Sequence, residues 1–132
     1  MQNRKLAALL GILLLNACHY EHVRDGDTDI RYTLSFGETH AFQDPLLNGL
    51  IIKMDSITDT RCPSGTTCLN AGSTAARVGV NGIFSTIALG ATLPIIQNGK
   101  PYKVAVLDIT PYPTPTNERA TKLVTFMVEE PD

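Results

Sequence analysis

Three features of the sequence predict an all-β fold, a small antiparallel β-sandwich of Ig-like general architecture. Apolar and polar residues alternate strictly from Ile30 to Phe36, the pattern of a strand with one buried face. An Asn-Gly pair separates two β-prone runs, Thr74–Val80 and Ile83–Leu89. Beyond the N-terminal region, no stretch sustains the 3.6-residue apolar period of a helix. Six to eight short strands parted by glycine and proline turns fit two stacked sheets.

In chain order, Ile30–Phe36 is the first strand, and Thr39–Gln43 forms a short continuation after Gly37 and Glu38. A second strand runs over Leu50–Ile57, with Leu50, Ile52 and Met54 on one face and Ile51 and Ile57 on the other. Apolar residues on both faces place it inside the sandwich rather than at an edge. The segment Asp59–Gly72 is rich in turn residues. The hairpin Thr74–Leu89 follows, its Asn81-Gly82 suited to a type I′ turn. Asn98-Gly99 marks another turn, and Tyr102–Ile109 another strand, with Tyr102, Val104 and Val106 on one face. The stiff, donor-poor run Pro111-Tyr112-Pro113-Thr114-Pro115 is a crossover loop. Leu123–Val128 closes the domain.

The N-terminus reads differently. Arg4 and Lys5 precede an unbroken apolar run, Leu6–Leu15, which is too short to span a ~30 Å hydrocarbon core. It has the length of a signal-peptide core. The run ends in Leu15-Asn16-Ala17-Cys18, which resembles the bacterial lipobox. That resemblance implies a cleaved signal over 1–17 and an acylated Cys18 at the mature N-terminus. Residues 18–29 form a polar tether, whose Asp25-Gly26-Asp27-Thr28-Asp29 is a solvated acidic linker rather than a calcium loop, because Ile30 stands where the turn glycine belongs. Residues 30–132 make a single domain. Two or more acyl chains hold a protein stably on a membrane, so the membrane is an expected partner through the lipid.

With Cys18 given to lipid, Cys62 and Cys68 remain. In an oxidising compartment two thiols this close in sequence are expected to form a disulfide. A metal site is the rival reading, but two cysteines supply half a tetrahedral shell, and His19, His22 and His40 are distant in sequence. No metal or cofactor is expected. The full chain carries a net charge of −2, more acidic once Arg4 and Lys5 are removed, which argues against nucleic acid as a partner.

The run Asp59-Thr60-Arg61-Cys62-Pro63-Ser64-Gly65-Thr66-Thr67-Cys68-Leu69-Asn70-Ala71-Gly72 resembles a loop found in a group of small, largely uncharacterised bacterial lipoproteins and secreted domains. Their pattern is Asp-Ser/Thr-Arg-Cys-Pro, four residues, Cys, three residues, Gly; Leu69-Asn70 stands where many members have Val-Trp or Ile-Trp. Leu107–Pro113 is similar to the group's stretch before the last strand. The resemblance implies a lipid-anchored β-sandwich and brings no activity with it. Asp59, Arg61, Pro63 and Gly72 are the candidate residues of this loop. Either they brace the sandwich, or they form a rigid edge that binds a ligand or partner.

No nucleophile-and-base set, metalloprotease helix motif or phosphate-cradling glycine loop is present, so no catalytic residue is expected. His40 is expected at the surface. The function predicted is that of a membrane-anchored structural or interaction protein of the cell envelope, docking on another envelope protein. The alternative is a small ligand-binding or hydrolase-inhibitor module presenting the disulfide loop. His19 rather than Asp follows Cys18, which in a two-membrane bacterium points to the outer membrane, facing the periplasm.

Overall fold

A computed structural model describes residues 29–131. The expected signal segment 1–17, Cys18, and the tether up to residue 28 lie outside the described residues. The strands are β1 (Ile30–Ser35), β2 (Thr39–Ala41), β3 (Ile51–Asp59), β4 (Thr74–Val80), β5 (Ile83–Ala88), β6 (Thr92–Gln97), β7 (Lys100–Thr110) and β8 (Leu123–Glu129). All pairings are antiparallel, in two four-stranded sheets ordered β1-β8-β7-β6 and β2-β3-β4-β5. The second sheet is a plain meander, and so is β6-β7-β8, with β1 added at its outer side. The all-β, two-sheet architecture is the one the sequence predicts.

Local chemistry sets the turns. Asn81 and Gly82 have φ of 49° and 85°, and Asn98 and Gly99 have φ of 51° and 75°. Both pairs are type I′ turns, whose twist matches that of the flanking strands. The second turn joins β7 to β6, a strand the sequence reading did not assign. Pro94 inside β6 argues against a strand, but an edge strand tolerates proline where its missing N–H faces away from the ladder.

Each sheet carries one β-bulge, and the two bulges reset the alternation. In β3 the register shifts between Met54 and Ser56, so Ile57 pairs with Ala76 and Asp59 with Thr74. Ile57 thus joins Ile52 and Met54 on the core face and does not point to the opposite one, a correction to the alternation read from sequence. The bulge turns Asp59 inward as well. In β7 the shift between Val106 and Asp108 does the same for Ile109, which is fully buried.

The core is built from Ile52, Met54, Val78, Ile87, Tyr102, Val104, Val106, Ile109, Val124, Phe126 and Val128, drawn from both sheets. Each such apolar side chain contributes about 2 kcal/mol by leaving water. Leu47 and Leu50, from the β2–β3 connection, cap one end. There Gln97 donates to the Asn48 carbonyl (2.9 Å) and accepts from Asn81 Nδ2 (2.9 Å), while Asn81 Oδ1 accepts the Ile51 N–H (2.9 Å). His40 is half-buried and not a surface residue: it stacks on Tyr32 at 5.0 Å and meets Phe42 edge-on at 4.6 Å. The reason is its place on β2, which sets it beside Tyr32 of β1 and close to Phe42 just past the end of its own strand.

Candidate functional site

The opposite end of the sandwich holds the candidate loop. β3 and β4 continue past their ends as a stalk: Thr60 N–H donates to Ser73 O (2.8 Å) and Cys62 N–H to Ala71 O (2.9 Å). Cys62 and Cys68 are disulfide-bonded, with Cα atoms 5.9 Å apart. Inside the ring the Thr66 hydroxyl donates to Pro63 O at 2.7 Å. Gly72 has φ of 73°, and a Cβ there would collide with the Thr60 carbonyl across the stalk. Only glycine combines that φ with so close an approach.

Asp59 is the node beneath the ring. Its carboxylate receives Arg61 in a two-pronged contact, Nε to Oδ1 and Nη2 to Oδ2 at 2.8 Å each, and Lys122 Nζ at 2.9 Å. The Asp59 side chain is 7% exposed, Arg61 13% and Lys122 18%, so all three are largely withdrawn from water. The Arg61 hydrogen bonds hold the Asp59 carboxyl well below the usual carboxylate range, against the opposing pull of burial, with Lys122 adding to the effect. The Asp59 carboxylate in turn raises the Arg61 guanidinium.

The same residues join the two sheets. Arg61 Nη2 also donates to Ile109 O on β7 (2.9 Å), and its guanidinium lies 4.7 Å from the centre of the Tyr112 ring. The Tyr112 hydroxyl donates to Cys62 O (3.0 Å), Ser64 N–H to Pro113 O (2.9 Å), and Lys122 Nζ to Pro111 O (2.5 Å). The connection over residues 111–122 joins β7 to its antiparallel neighbour β8, so it is a long hairpin connection and not the crossover expected from its prolines. Its Tyr112 and Pro113 bond it to the disulfide loop of the other sheet. An open depression of about 370 Å³, lined by Phe36, Ile57, Thr121 and Lys122, adjoins this knot.

Of the residues singled out from sequence, Asp59, Arg61, Pro63 and Gly72 do come together, with the Cys62–Cys68 bridge. Asp59, Arg61, Cys62 and Pro63 are half-buried, whereas Gly72 and the tip, residues 64–70, are exposed and Leu69 is fully so. Lys122 and Tyr112 were missed. They are remote in sequence, and a lysine before a strand carries no signal of a carboxylate partner. Among the described residues no group of three or more His, Cys, Asp or Glu side chains is placed to hold a metal, and no helix is long and apolar enough to cross a membrane. Chemically the cluster is one carboxylate held between two cations. Against known proteins, the chain matches no family model, no curated protein and no solved structure.

Proposed function

We propose that the chain is a lipid-anchored bacterial envelope protein that acts by contact with another envelope protein and not by catalysis. The observation that carries the reading is the run Leu15-Asn16-Ala17-Cys18 directly after a short apolar core and two basic residues. Such a sequence directs export and acylation of the cysteine, and the anchor replaces a spanning helix. The oxidised Cys62–Cys68 pair suits an exported chain. The inward-facing Asp59, Arg61 and Lys122 suit a brace better than a catalytic centre. His19 after Cys18 favours the outer membrane of a two-membrane cell, facing the periplasm.

Metabolic labelling with an alkyne analogue of palmitate tests the anchor. The wild-type chain takes the label and partitions with membranes, and Cys18→Ser abolishes both. An unlabelled wild-type chain beginning before Cys18 would end the proposal. Cross-linking in intact cells then tests the contact: a reproducible adduct with one envelope protein is expected.

A second reading has its own observation, the fully exposed Leu69 at the tip of a rigid, stapled loop. An apolar side chain held out on a preorganised loop loses little entropy when it docks. In this reading the loop is the docking element of a ligand-binding or inhibitor module. Leu69→Asp then abolishes the cross-linked adduct with the melting temperature unchanged; an undiminished adduct removes the loop from the contact.

A further inference from the structure

The sandwich has four edge strands, and three of them are blunted against pairing with another chain. β1 carries the exposed Arg31, β2 is three residues long, and β6 carries Pro94. β5, Ile83-Phe84-Ser85-Thr86-Ile87-Ala88, has no charge, no proline and no bulge. It lies in a run from Val78 to Gly99 without a single charged residue.

The hairpin fixes which backbone groups of β5 are open. Val80 and Ile83 flank a two-residue turn and form a hydrogen-bonded pair, so Ser85 and Ile87 also bond to β4. Leu89 N–H donating to Thr74 O at 3.0 Å continues the same alternation. Phe84, Thr86 and Ala88 therefore turn their N–H and C=O groups away from β4. On β6, counting from the Asn98-Gly99 turn in the same way points the missing N–H of Pro94 outward. Between the two edges lies an apolar slot of about 230 Å³, lined among others by Ile83, Leu93 and Ile95. Ile83 is 73% exposed and Ile96, on β6, 69%.

We infer that β5 is a homodimerisation edge, on which a second copy of this chain pairs antiparallel about a two-fold axis through Thr86. The register is self-complementary. Thr86 faces its own counterpart, a favourable cross-strand pair. Phe84 then lies opposite the partner's Ala88, large against small, and Ile83 opposite the partner's Leu89. In an isologous interface any charge on the pairing strand meets itself, and β5 carries none. The nearest, Arg77 on β4 opposite Thr86, is paired with Asp55. The axis stands normal to the joined sheet, so the two β6 edges approach in the other layer and cover Ile96 and the slot. This contact is independent of the disulfide loop at the end of the sandwich.

The test uses the full chain in detergent. Sedimentation should give twice the polypeptide mass at tens of micromolar, and Thr86→Glu should give the monomer with an unchanged circular dichroism spectrum. Glu at this exposed position faces Arg77 within its own sheet, so the monomer is not penalised. Thr86→Cys should form a covalent dimer under mild oxidation at least tenfold more than Lys53→Cys, an exposed site in mid-sheet, since hydrogen-bonded pairs place Cα atoms about 5.5 Å apart, within disulfide reach. A monomeric wild type, a Thr86→Glu dimer, or equal cross-linking at the two cysteines would overturn the inference. A Thr86→Cys adduct with a different polypeptide would overturn it too, and would give the edge to another protein.

Discussion

Lys122 Nζ lies 2.9 Å from Asp59 Oδ2, so the residue just before β8 in one sheet is ion-paired to the last residue of β3 in the other. With Arg61 on the same carboxylate, Asp59 faces two cations that its loss would leave largely buried and unpaired. Breaking a buried pair from one side is strongly destabilising. Asp59→Ala is expected to lower the unfolding free energy by about 3 kcal/mol, and Asp59→Asn by less, because the amide still accepts one hydrogen bond. Urea titration checks this: the midpoint should fall with the slope unchanged. A loss under half a kilocalorie would show that the brace is ornamental.

The same carboxylate sets an acid dependence. The Arg61 hydrogen bonds lower its folded value, so the native state binds fewer protons than the unfolded chain, in which an aspartate titrates near 3.9. The stabilisation is fully present above about pH 4 and drains away as the pH falls further. Wild-type stability should drop between neutral pH and pH 2 more steeply than that of Asp59→Asn. Parallel profiles for the two would place the acid sensitivity elsewhere.

Gly72 makes a prediction about the loop's stalk. Alanine there requires a left-handed φ and puts its Cβ into the Thr60 carbonyl, so the stalk must open. Gly72→Ala is expected to cost about 2 kcal/mol or more, whereas Gly65→Ala, in open space, is expected to cost about 1 kcal/mol from its φ alone. Reduction of the disulfide should cost about 2 kcal/mol by the loop-entropy relation. Thermal melts of the two variants, with and without reductant, rank these contributions.

The fold was largely legible because its signals are local. Alternation over Ile30–Phe36 and the Asn81-Gly82 pair are each read within a few residues, and both elements formed as expected. β6 was not assigned; a strand carrying Pro94 is compatible only with an edge position, and that position is a tertiary fact. The bulge at Asp55 was illegible for a similar reason. An extra residue in one strand is defined only against its partner, and it moved both Ile57 and Asp59 to the inner side. The disulfide could be picked out from the closeness of its cysteines, and Asp59 and Arg61 from the resemblance of the loop, but not that Lys122 and Tyr112, on the β7–β8 connection of the other sheet, complete the cluster. Such long-range polar contacts leave no periodic trace.

Tyr32 shows what packing alone can impose on a polar group. Its ring stacks on Phe126 at 5.4 Å and on His40 at 5.0 Å, with Phe42 edge-on at 5.2 Å. Its hydroxyl is buried without a hydrogen-bond partner among the described residues. Burial pushes that hydroxyl well above the usual tyrosine range. The native state therefore favours the protonated form; the associated stability is whole below about pH 10 and falls as the pH rises past it, where the unfolded chain ionises. Tyr32→Phe keeps the stacking ring and removes the unsatisfied oxygen, so it should raise stability at pH 7 by about 1 kcal/mol. It should also lessen the alkaline loss without abolishing it, because burial raises Tyr102 as well. Urea unfolding at pH 7 and pH 11 measures both effects. A phenylalanine variant weaker than wild type at pH 7 would mean that the hydroxyl is satisfied in solution after all.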